Sequence, residues 1–359
     1  MSAASDHAEG RPADIDDGWA ISSLEQSGFD AEALRRVVQA AATHQANLHS
    51  VVLARRGELV AEFYFTGPDK PLGAWWQRKT RFGPGVKHDL RSISKSVVGL
   101  LFGIAQAQGK IAALNTPVLE YFPEHSNANA PERRAITLEH LLTMTPGLDW
   151  NASGVHGGLR GSENRMRWAR NRERYILVRP VVAIPGSHFS YNDGTTALLA
   201  SVLEQVTGMP LETYAREVLF APLGITDLVW KTDLRGKALA FSGLRMRPRD
   251  LARIGRMLLA GGRWQDRQVV PEDWVRASMQ PLVSTGDGMQ YGYHWWVSAT
   301  AGSSAHLSWS AAFGHGGQRL FIVPSLDLTV VLTAGHYKQT ARERSPNDLF
   351  RRIIATALP

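Results

Sequence analysis

Strand-forming segments lie towards both ends of this sequence, and helical patterns fill its middle. The stretch SVVLARRGELVAEFYF (50–65) favours a β-hairpin with its turn at 55–58. Short segments rich in β-branched and aromatic residues follow at 291–297, 311–324 and 328–335. Strands on both sides of a helical middle favour one sheet built from both ends of the chain, with the helices inserted between its halves.

This pattern predicts an α/β fold in three parts. Residues 1–28 are polar and acidic, and we expect them to form a flexible lead-in. Residues 29–90 and 250–359 should form a discontinuous α/β sheet domain, residues 91–249 a mainly helical domain, and a functional site should lie at their interface. The predicted helix limits are a cap at Asp30, a helix from Ser92 to Gln108 closed by Gly109, a cap at Thr137, an end at Gly208 and a closing helix over 348–358.

The composition excludes several classes of protein. The 359 residues are 44% hydrophobic and 20% charged, as in an ordinary globular protein, and the absence of cysteine excludes disulfides, thiolate nucleophiles and cysteine-bound zinc. Seven arginines lie between Arg160 and Arg179. We interpret them as a solvated helix face or loop, since few aromatic residues accompany them, and we expect no nucleic-acid partner.

No signal peptide and no membrane span are visible in the sequence. The first 28 residues lack an apolar core, and the longest apolar runs are too short to cross a bilayer. We therefore expect a cytoplasmic protein, or a periplasmic one if a leader has been removed. The sequence gives no indication of the oligomeric state.

The stretch RSISKSVVG places a serine and a lysine one helical turn apart, just before an apolar run. Ser92 and Lys95 can touch at this spacing, and the apolar run would bury the lysine. A serine beside such a base can act as a nucleophile, and its N–H at the first helical turn can bind an oxyanion. The same S-x-x-K spacing also fits an exposed capping serine followed by a solvated lysine.

Two further motifs accompany this pair. The triplet Y-N-D at 191–193 stands in a tight turn before a helix, and the triplet H-G-G at 315–317 opens a strand. Together with Ser92 and Lys95, in this order, they resemble the motifs of the serine β-lactamase and penicillin-binding-protein superfamily. The chain is most similar to the class C branch, with its esterase and 6-aminohexanoate-dimer-hydrolase relatives. The resemblance implies a β-lactamase/transpeptidase-like fold.

The resemblance also implies residue roles. Ser92 would be the acylated nucleophile, Lys95 its proton partner and Tyr191 the general base or proton relay. The N–H groups of Ser92 and Gln318 would form the oxyanion hole. His315 and Gly317 would line the pocket, with Trp150 and the arginine-rich loop 160–174 at its mouth. If Asp193 forms an ion pair with Lys95, the lysine would stay protonated and Tyr191 would be the only base.

Two departures from the family pattern bear on the substrate. The third motif lacks the lysine and the threonine that hold a substrate carboxylate, and Asp193 replaces a usual asparagine. Both changes disfavour anionic substrates, so we expect a carboxylesterase or an amidase of the 6-aminohexanoate-oligomer-hydrolase kind. The alternatives are a class C-type β-lactamase or D-alanyl-D-alanine carboxypeptidase, and a catalytically idle ligand-binding protein.

Other kinds of enzyme lack their motifs in this sequence. The twelve histidines form no H-E-x-x-H and no comparable ligand pair on one helix, so we expect no catalytic metal. The G-x-S-x-G elbow of the α/β-hydrolases is absent, and no dinucleotide fingerprint is complete. We expect no cofactor, and a small ester or amide as the substrate.

Overall fold

The computed structural model describes residues 10–44, 47–125, 131–151, 161–298, 307–337 and 345–357. The helices are α1 Ala31–His44, α2 Ile93–Ala107, α3 Pro131–Arg134, α4 Leu138–Leu142, α5 Ser162–Trp168, α6 Arg172–Leu177, α7 Asp193–Thr207, α8 Leu211–Ala215, α9 Pro248–Leu259, α10 Glu272–Ser278 and α11 Ser345–Ile354. The strands are β1 Leu48–Arg55, β2 Glu58–Tyr64, β3 Thr66–Asp69, β4 Arg78–Arg81, β5 His88–Asp89, β6 Leu228–Trp230, β7 Leu244–Met246, β8 Arg263–Trp264, β9 Arg267–Gln268, β10 Val283–Ser284, β11 Met289–Tyr291, β12 Trp296–Ser298, β13 Ser310–Gly314, β14 Gln318–Val323 and β15 Leu328–Ala334.

Eight of the described strands form one antiparallel sheet, in the order β10-β11-β12-β13-β14-β15-β1-β2. The first strand of the predicted hairpin, β1, pairs with β15, so that Val52 lies opposite Val331. This arrangement confirms the predicted antiparallel sheet built from both ends of the chain. The mainly helical stretch between β5 and β10 is inserted between the two halves of the sheet.

The segment YGYHWWV forms parts of two strands with a turn between them. Strand β11 ends at Tyr291 and β12 begins at Trp296. Gly292 lies in the turn, where a Cβ would stand 2.1 Å from the carbonyl oxygen of Ser278. The close approach of α10 therefore requires glycine at this point, and the chain reverses there.

Helices cover both faces of the sheet, and successive side chains of β1 pack against helices on opposite faces. Val51 and Leu53 pack with residues of α1 and α11 on one face. Val52 and Ala54 join a larger cluster on the other face, which includes α2, α7 and α9. Because side chains alternate along a strand, a sheet covered on both faces carries apolar residues at consecutive positions.

Helix α2 is buried almost along its whole length, and its residues 97–105 are apolar on all sides of the helix. Its two glycines let neighbouring elements approach closely. A Cβ at Gly99 would lie 3.1 Å from the carbonyl oxygen of Tyr293, and one at Gly103 would overlap the ring of Trp274. The helix that begins beside Ser92 is therefore held firmly in the centre of the molecule.

The described part of the predicted lead-in, residues 10–28, is packed against the body of the protein, which differs from our expectation. Trp19 is buried and meets the ring of Trp264 edge-on at 5.9 Å. The carboxylate of Asp17 lies 3.0 Å from the buried guanidinium of Arg249. A buried arginine needs a counter-charge, and Arg249 has two, Asp17 and the buried Glu62 of β2 at 2.9 Å.

We expect Asp17→Asn to destabilise the protein, because it removes a counter-charge of the fully buried Arg249. The free energy of unfolding should fall by about 2 kcal/mol, since Glu62 still balances the charge of Arg249, and urea denaturation measures the change. Asp16→Asn is the matched control, since Asp16 is exposed, and it should leave the midpoint unchanged. Equal midpoints for the two variants would show that residues 10–28 contribute little to stability.

The arginine-rich stretch is only partly solvated. Arg165, Arg170 and Arg174 are exposed, as predicted for a solvated face. In contrast, Arg172 is buried and forms an ion pair with Asp233. Arg160 lies outside the described residues.

No helix in the described ranges is both long enough and apolar enough to cross a membrane.

Candidate active site

Ser92 stands at the N-cap of α2, directly after a strained residue. Strand β5 pairs with β7, and Arg91 then takes a positive φ of 53°. This conformation is unfavourable for a residue with a side chain, so the surrounding structure must hold it in place. The hydroxyl of Ser92 makes no capping hydrogen bond. Instead, Lys95 Nζ donates to Ser92 Oγ at 2.9 Å.

Lys95 is 1% exposed and is surrounded by acceptors. Its Nζ lies 2.7 Å from Asp193 Oδ1 and 2.9 Å from the carbonyl oxygen of Phe241. With Ser92 Oγ, these contacts use all three N–H groups of an ammonium. The alternative of a capping serine followed by a solvated lysine therefore does not describe this pair.

The ion pair with Asp193 decides the charge of Lys95. Burial lowers the pKa of Lys95, but the Asp193 carboxylate and the Tyr191 hydroxyl outweigh burial and raise this pKa above its ordinary value. Lys95 is consequently a cation at neutral pH. This is the condition under which we expected Tyr191 to be the only base.

Tyr191 lies beside this cation, with Lys95 Nζ 4.8 Å from the centre of its ring. The turn is fixed by Asn192, whose Oδ1 accepts from the N–H of Gly194 at 2.8 Å and so caps α7. The ring of Tyr191 stacks on Trp296 at 6.0 Å. The capped start of α7 therefore positions both Tyr191 and Asp193.

An aromatic wall of three rings, Tyr191, Trp296 and Phe313, extends from Tyr191 towards β13. Trp296 stacks on Phe313 with ring centres 5.5 Å apart. All three rings are half-buried, so each keeps part of its surface accessible. Such a wall is suited to an apolar group of a ligand.

The H-G-G triplet forms the turn between β13 and β14. His315 Nε2 lies 3.2 Å from the carbonyl oxygen of Tyr337, and the guanidinium of Arg91 lies 4.6 Å over the Tyr337 ring. A Cβ at Gly314 would stand 2.2 Å from the carbonyl oxygen of Leu90. The third motif therefore approaches the segment that leads into Ser92. The closest approach that requires glycine is at Gly314, one residue before the triplet.

Gly317 and Gln318 are packed inside the hairpin. A Cβ at Gly317 would lie 3.0 Å from Ala334. The side-chain amide of Gln318 is fully buried, donates to the carbonyl oxygen of Ala334 at 2.7 Å and accepts from its N–H at 3.1 Å. The oxyanion role that we expect of Gln318 concerns its backbone N–H, and it remains a prediction.

Two further side chains near the predicted motifs, those of Trp150 and Arg319, are packed inside the protein. Trp150 is buried, and its ring fills the space above Gly194, where a Cβ would lie 2.9 Å from it. Arg319 is also buried, and its Nε donates to Asn347 Oδ1 at 2.8 Å. Trp150 supports the start of α7, and Arg319 is engaged with α11.

Glu163 and Arg167 on α5 form an ion pair at 3.5 Å and were not predicted from the sequence. Burial and the charge of Asp193 raise the pKa of Glu163, against the lowering effects of Arg167 and Lys95. Glu163 therefore belongs to the electrostatic surroundings of Lys95, and its neutral form is favoured there. Its position inside the arginine-rich stretch gave no signal, because that stretch has the pattern of a solvated face.

His294 was missed as well. It is buried under α2, and its Nε2 lies 3.1 Å from Thr196 Oγ1. Burial, together with the charge of Lys95, lowers the pKa of His294 to about 3. The ring is therefore neutral and adds no positive charge beside Lys95.

Comparison with known proteins places this geometry in context. A family model described as Beta-lactamase matches residues 34–351. The 6-aminohexanoate-dimer hydrolase of Paenarthrobacter ureafaciens is 27% identical over 302 residues, which cover 78% of this chain and 70% of that protein.

Two solved structures share the fold. EstCE1, a hydrolase with promiscuous acyltransferase activity, superposes with a TM-score of 0.74 at 19% identity, over 92% of this chain and 99% of its own. A class C beta-lactamase mutant superposes with a TM-score of 0.69 at 14% identity, over 96% of this chain and 99% of its own. At these identities the likeness establishes the β-lactamase/transpeptidase-like fold.

Proposed function

Because the chain belongs to the Beta-lactamase family, we propose that it is a serine hydrolase that cleaves esters or amides through an acyl-enzyme on Ser92. The observation that carries the proposal is the environment of Lys95. This buried cation contacts Ser92 Oγ at 2.9 Å and Asp193 at 2.7 Å, and lies under the ring of Tyr191. A buried charge beside a serine whose hydroxyl makes no capping hydrogen bond is typical of a catalytic site.

In the first half of the reaction, Ser92 Oγ attacks the substrate carbonyl and its proton passes to the oxygen of Tyr191. This step requires Tyr191 to act as a base, and the neighbouring Lys95 cation, 4.8 Å from the centre of its ring, favours that role. The N–H groups of Ser92 and Gln318 bind the oxyanion of the tetrahedral intermediate. Tyr191 then protonates the leaving alcohol or amine, and the acyl group stays on Ser92.

In the second half, a water molecule gives its proton to Tyr191 and attacks the acyl carbonyl. The new tetrahedral intermediate breaks its bond to Ser92, which recovers the proton from Tyr191. Lys95 keeps its charge throughout, because Asp193 holds its pKa high. The role of Lys95 is thus electrostatic, and the proton moves only between Tyr191, Ser92, water and the leaving group.

The surroundings of the site favour neutral acyl groups. The Asp193 carboxylate pairs with Lys95, and the carboxyl group of Glu163 lies near both. Arg319, a cation on the strand that follows the third motif, is engaged with Asn347. The aromatic wall offers an apolar surface. This supports an esterase or amidase over a β-lactamase or carboxypeptidase, and the similarity to the 6-aminohexanoate-dimer hydrolase supports amides among the substrates.

The proposal is tested by intact-protein mass after brief exposure to a short-chain p-nitrophenyl ester, a fluorophosphonate and a penicillin, with peptide mapping of any adduct. We expect an ester or fluorophosphonate adduct on Ser92 and little from the penicillin. Strong penicillin acylation would favour the β-lactamase or carboxypeptidase alternative. No adduct from any of the three would favour the idle ligand-binding protein.

We expect Asp193→Asn to change the pH dependence of the reaction. Without the carboxylate, burial dominates and the pKa of Lys95 falls below that of the wild type. The protonated lysine is then lost at lower pH, so the alkaline limb of the kcat/KM profile should move to lower pH. Substrates that carry a carboxylate should also bind more tightly, seen as a lower KM.

The matched control for this variant is Asp227→Asn. Asp227 forms an ion pair with Lys87 at the surface, and its side chain is half exposed. This variant should leave the alkaline limb in place. An alkaline limb that stays fixed in Asp193→Asn would show that the charge of Lys95 does not control the rate.

A further inference from the structure

Three buried side chains from three strands meet outside the group around Lys95. They are His49 on β1, Asp69 on β3 and His88 on β5. Both histidines are 0% exposed and Asp69 is 2% exposed. One potential ligand atom from each lies within 4.8 Å of the other two.

The tautomer of His49 follows from its neighbour Asn47. The amide nitrogen of Asn47 donates to the carbonyl oxygens of Pro68 at 2.9 Å and Gly335 at 3.0 Å, which fixes the orientation of the amide. Asn47 Oδ1 therefore faces His49 Nε2, at 2.7 Å. An oxygen in this position requires a hydrogen on Nε2, so a neutral His49 has a bare Nδ1.

The same reasoning applies to His88. Its Nδ1 lies 2.9 Å from the carbonyl oxygen of Asp89 and must carry the hydrogen, so a neutral His88 has a bare Nε2. The two bare nitrogens, His49 Nδ1 and His88 Nε2, face each other at 2.8 Å. Two lone pairs at this distance repel, and the arrangement is stable only with a cation between them.

We propose that His49, His88 and Asp69 bind a divalent transition-metal ion such as Zn²⁺. Two imidazole nitrogens and a carboxylate oxygen are ligands that Zn²⁺ prefers. Each histidine also donates its other N–H to an oxygen, which is the usual way in which metal-bound histidines are oriented. A proton is the other cation that fits, but full burial disfavours a charged imidazolium.

The geometry is near that of a metal site. Ligand atoms about a tetrahedral Zn²⁺ are about 3.3 Å apart, given bonds of about 2.0 to 2.1 Å. The two histidine nitrogens would therefore separate by about 0.5 Å, and the carboxylate would move inwards. Asp69 Oδ1 is buried and has no hydrogen-bond partner among the described residues. Its other oxygen lies 3.3 Å from Arg245.

The position of the ligands indicates a structural role for the ion. His49 belongs to the large sheet, whereas His88 belongs to the short strand that leads through Arg91 to Ser92. An ion shared by both strands would fix the segment that presents Ser92. No sequence motif indicates this site, because its ligands lie on separate strands and not on one helix.

The first test uses the full chain, stripped of metal with a chelator and dialysed. We expect one Zn²⁺ to bind per chain, counted by native mass spectrometry. At 100-fold excess over its Kd, Zn²⁺ should raise Tm by about 4 °C. Co²⁺ as a probe should show the visible absorption of a tetrahedral site. Absence of stoichiometric binding would overturn the proposal and leave a shared proton between the histidines.

Variants separate this site from adventitious binding at the surface. Asp69→Asn and His88→Gln preserve the side-chain volume closely, and each should abolish the Tm increase and the Co²⁺ spectrum. His188→Gln is the matched control, since His188 is exposed, and it should bind Zn²⁺ as the wild type does. Binding that persists in both ligand variants would also overturn the proposal.

Discussion

Ser92→Ala is expected to reduce ester hydrolysis to background and to leave Tm within a few degrees of the wild type. The hydroxyl is the proposed nucleophile, so its loss removes the acyl-enzyme route. It caps no helical N–H, and its removal costs only the contact with Lys95. The lysine keeps its bonds to Asp193 and Phe241, so no charge is left without a partner.

Steady-state hydrolysis of a p-nitrophenyl ester and a thermal melt of the same sample measure both effects. Ser284→Ala is the control, since Ser284 is exposed on β10 at the far end of the sheet, and it should retain full activity. Residual turnover above a few per cent in Ser92→Ala would place the nucleophile elsewhere.

Tyr191→Phe is expected to lower kcat by roughly 10² or more, because it removes the oxygen that relays the proton. The phenylalanine ring can keep the stacking on Trp296, so the architecture of the site should persist. Lys95 cannot take over as a base, since its ion pair with Asp193 raises its pKa. The loss should appear in the acylation rate as well as in steady-state turnover.

Rapid mixing with a p-nitrophenyl ester separates acylation from deacylation in this variant. Tyr121→Phe offers a control, because Tyr121 is half-buried in a different part of the helical region, and its rates should equal those of the wild type. An unchanged acylation rate in Tyr191→Phe would assign the base role to Lys95.

The sheet and the contacts around Lys95 could be predicted because their signals are local. Strand composition, the turn at 55–58 and the caps Asp30 and Thr137 depend on neighbouring residues, and they appear in the structure as expected. The spacing of Ser92 and Lys95 is likewise a property of one helical turn. The ion pair with Asp193 follows from the second motif, which places Tyr191 and Asp193 at one helix start.

The features that were missed depend on contacts between distant segments. The turn at Gly292 is set by the carbonyl of Ser278, and the anchoring of residues 10–28 by the buried Arg249. Glu163 gains its significance only from the approach of α5 to Asp193. No local sequence pattern indicates contacts between distant segments, so these features could not be predicted from periodicity or motif spacing.

The pairing of β1 with β15 has a consequence for the synthesis of the protein. Strand β1 leaves the ribosome early, but its neighbour β15 is made only after residue 328. Until then the β1–β2 hairpin has one unpaired, apolar edge, of the kind that associates with other chains. A chain that has been made only as far as Tyr191 already contains Ser92 and Lys95 but still lacks six of the eight described strands of this sheet. We expect folding to be slow, and chaperones to matter most during this interval.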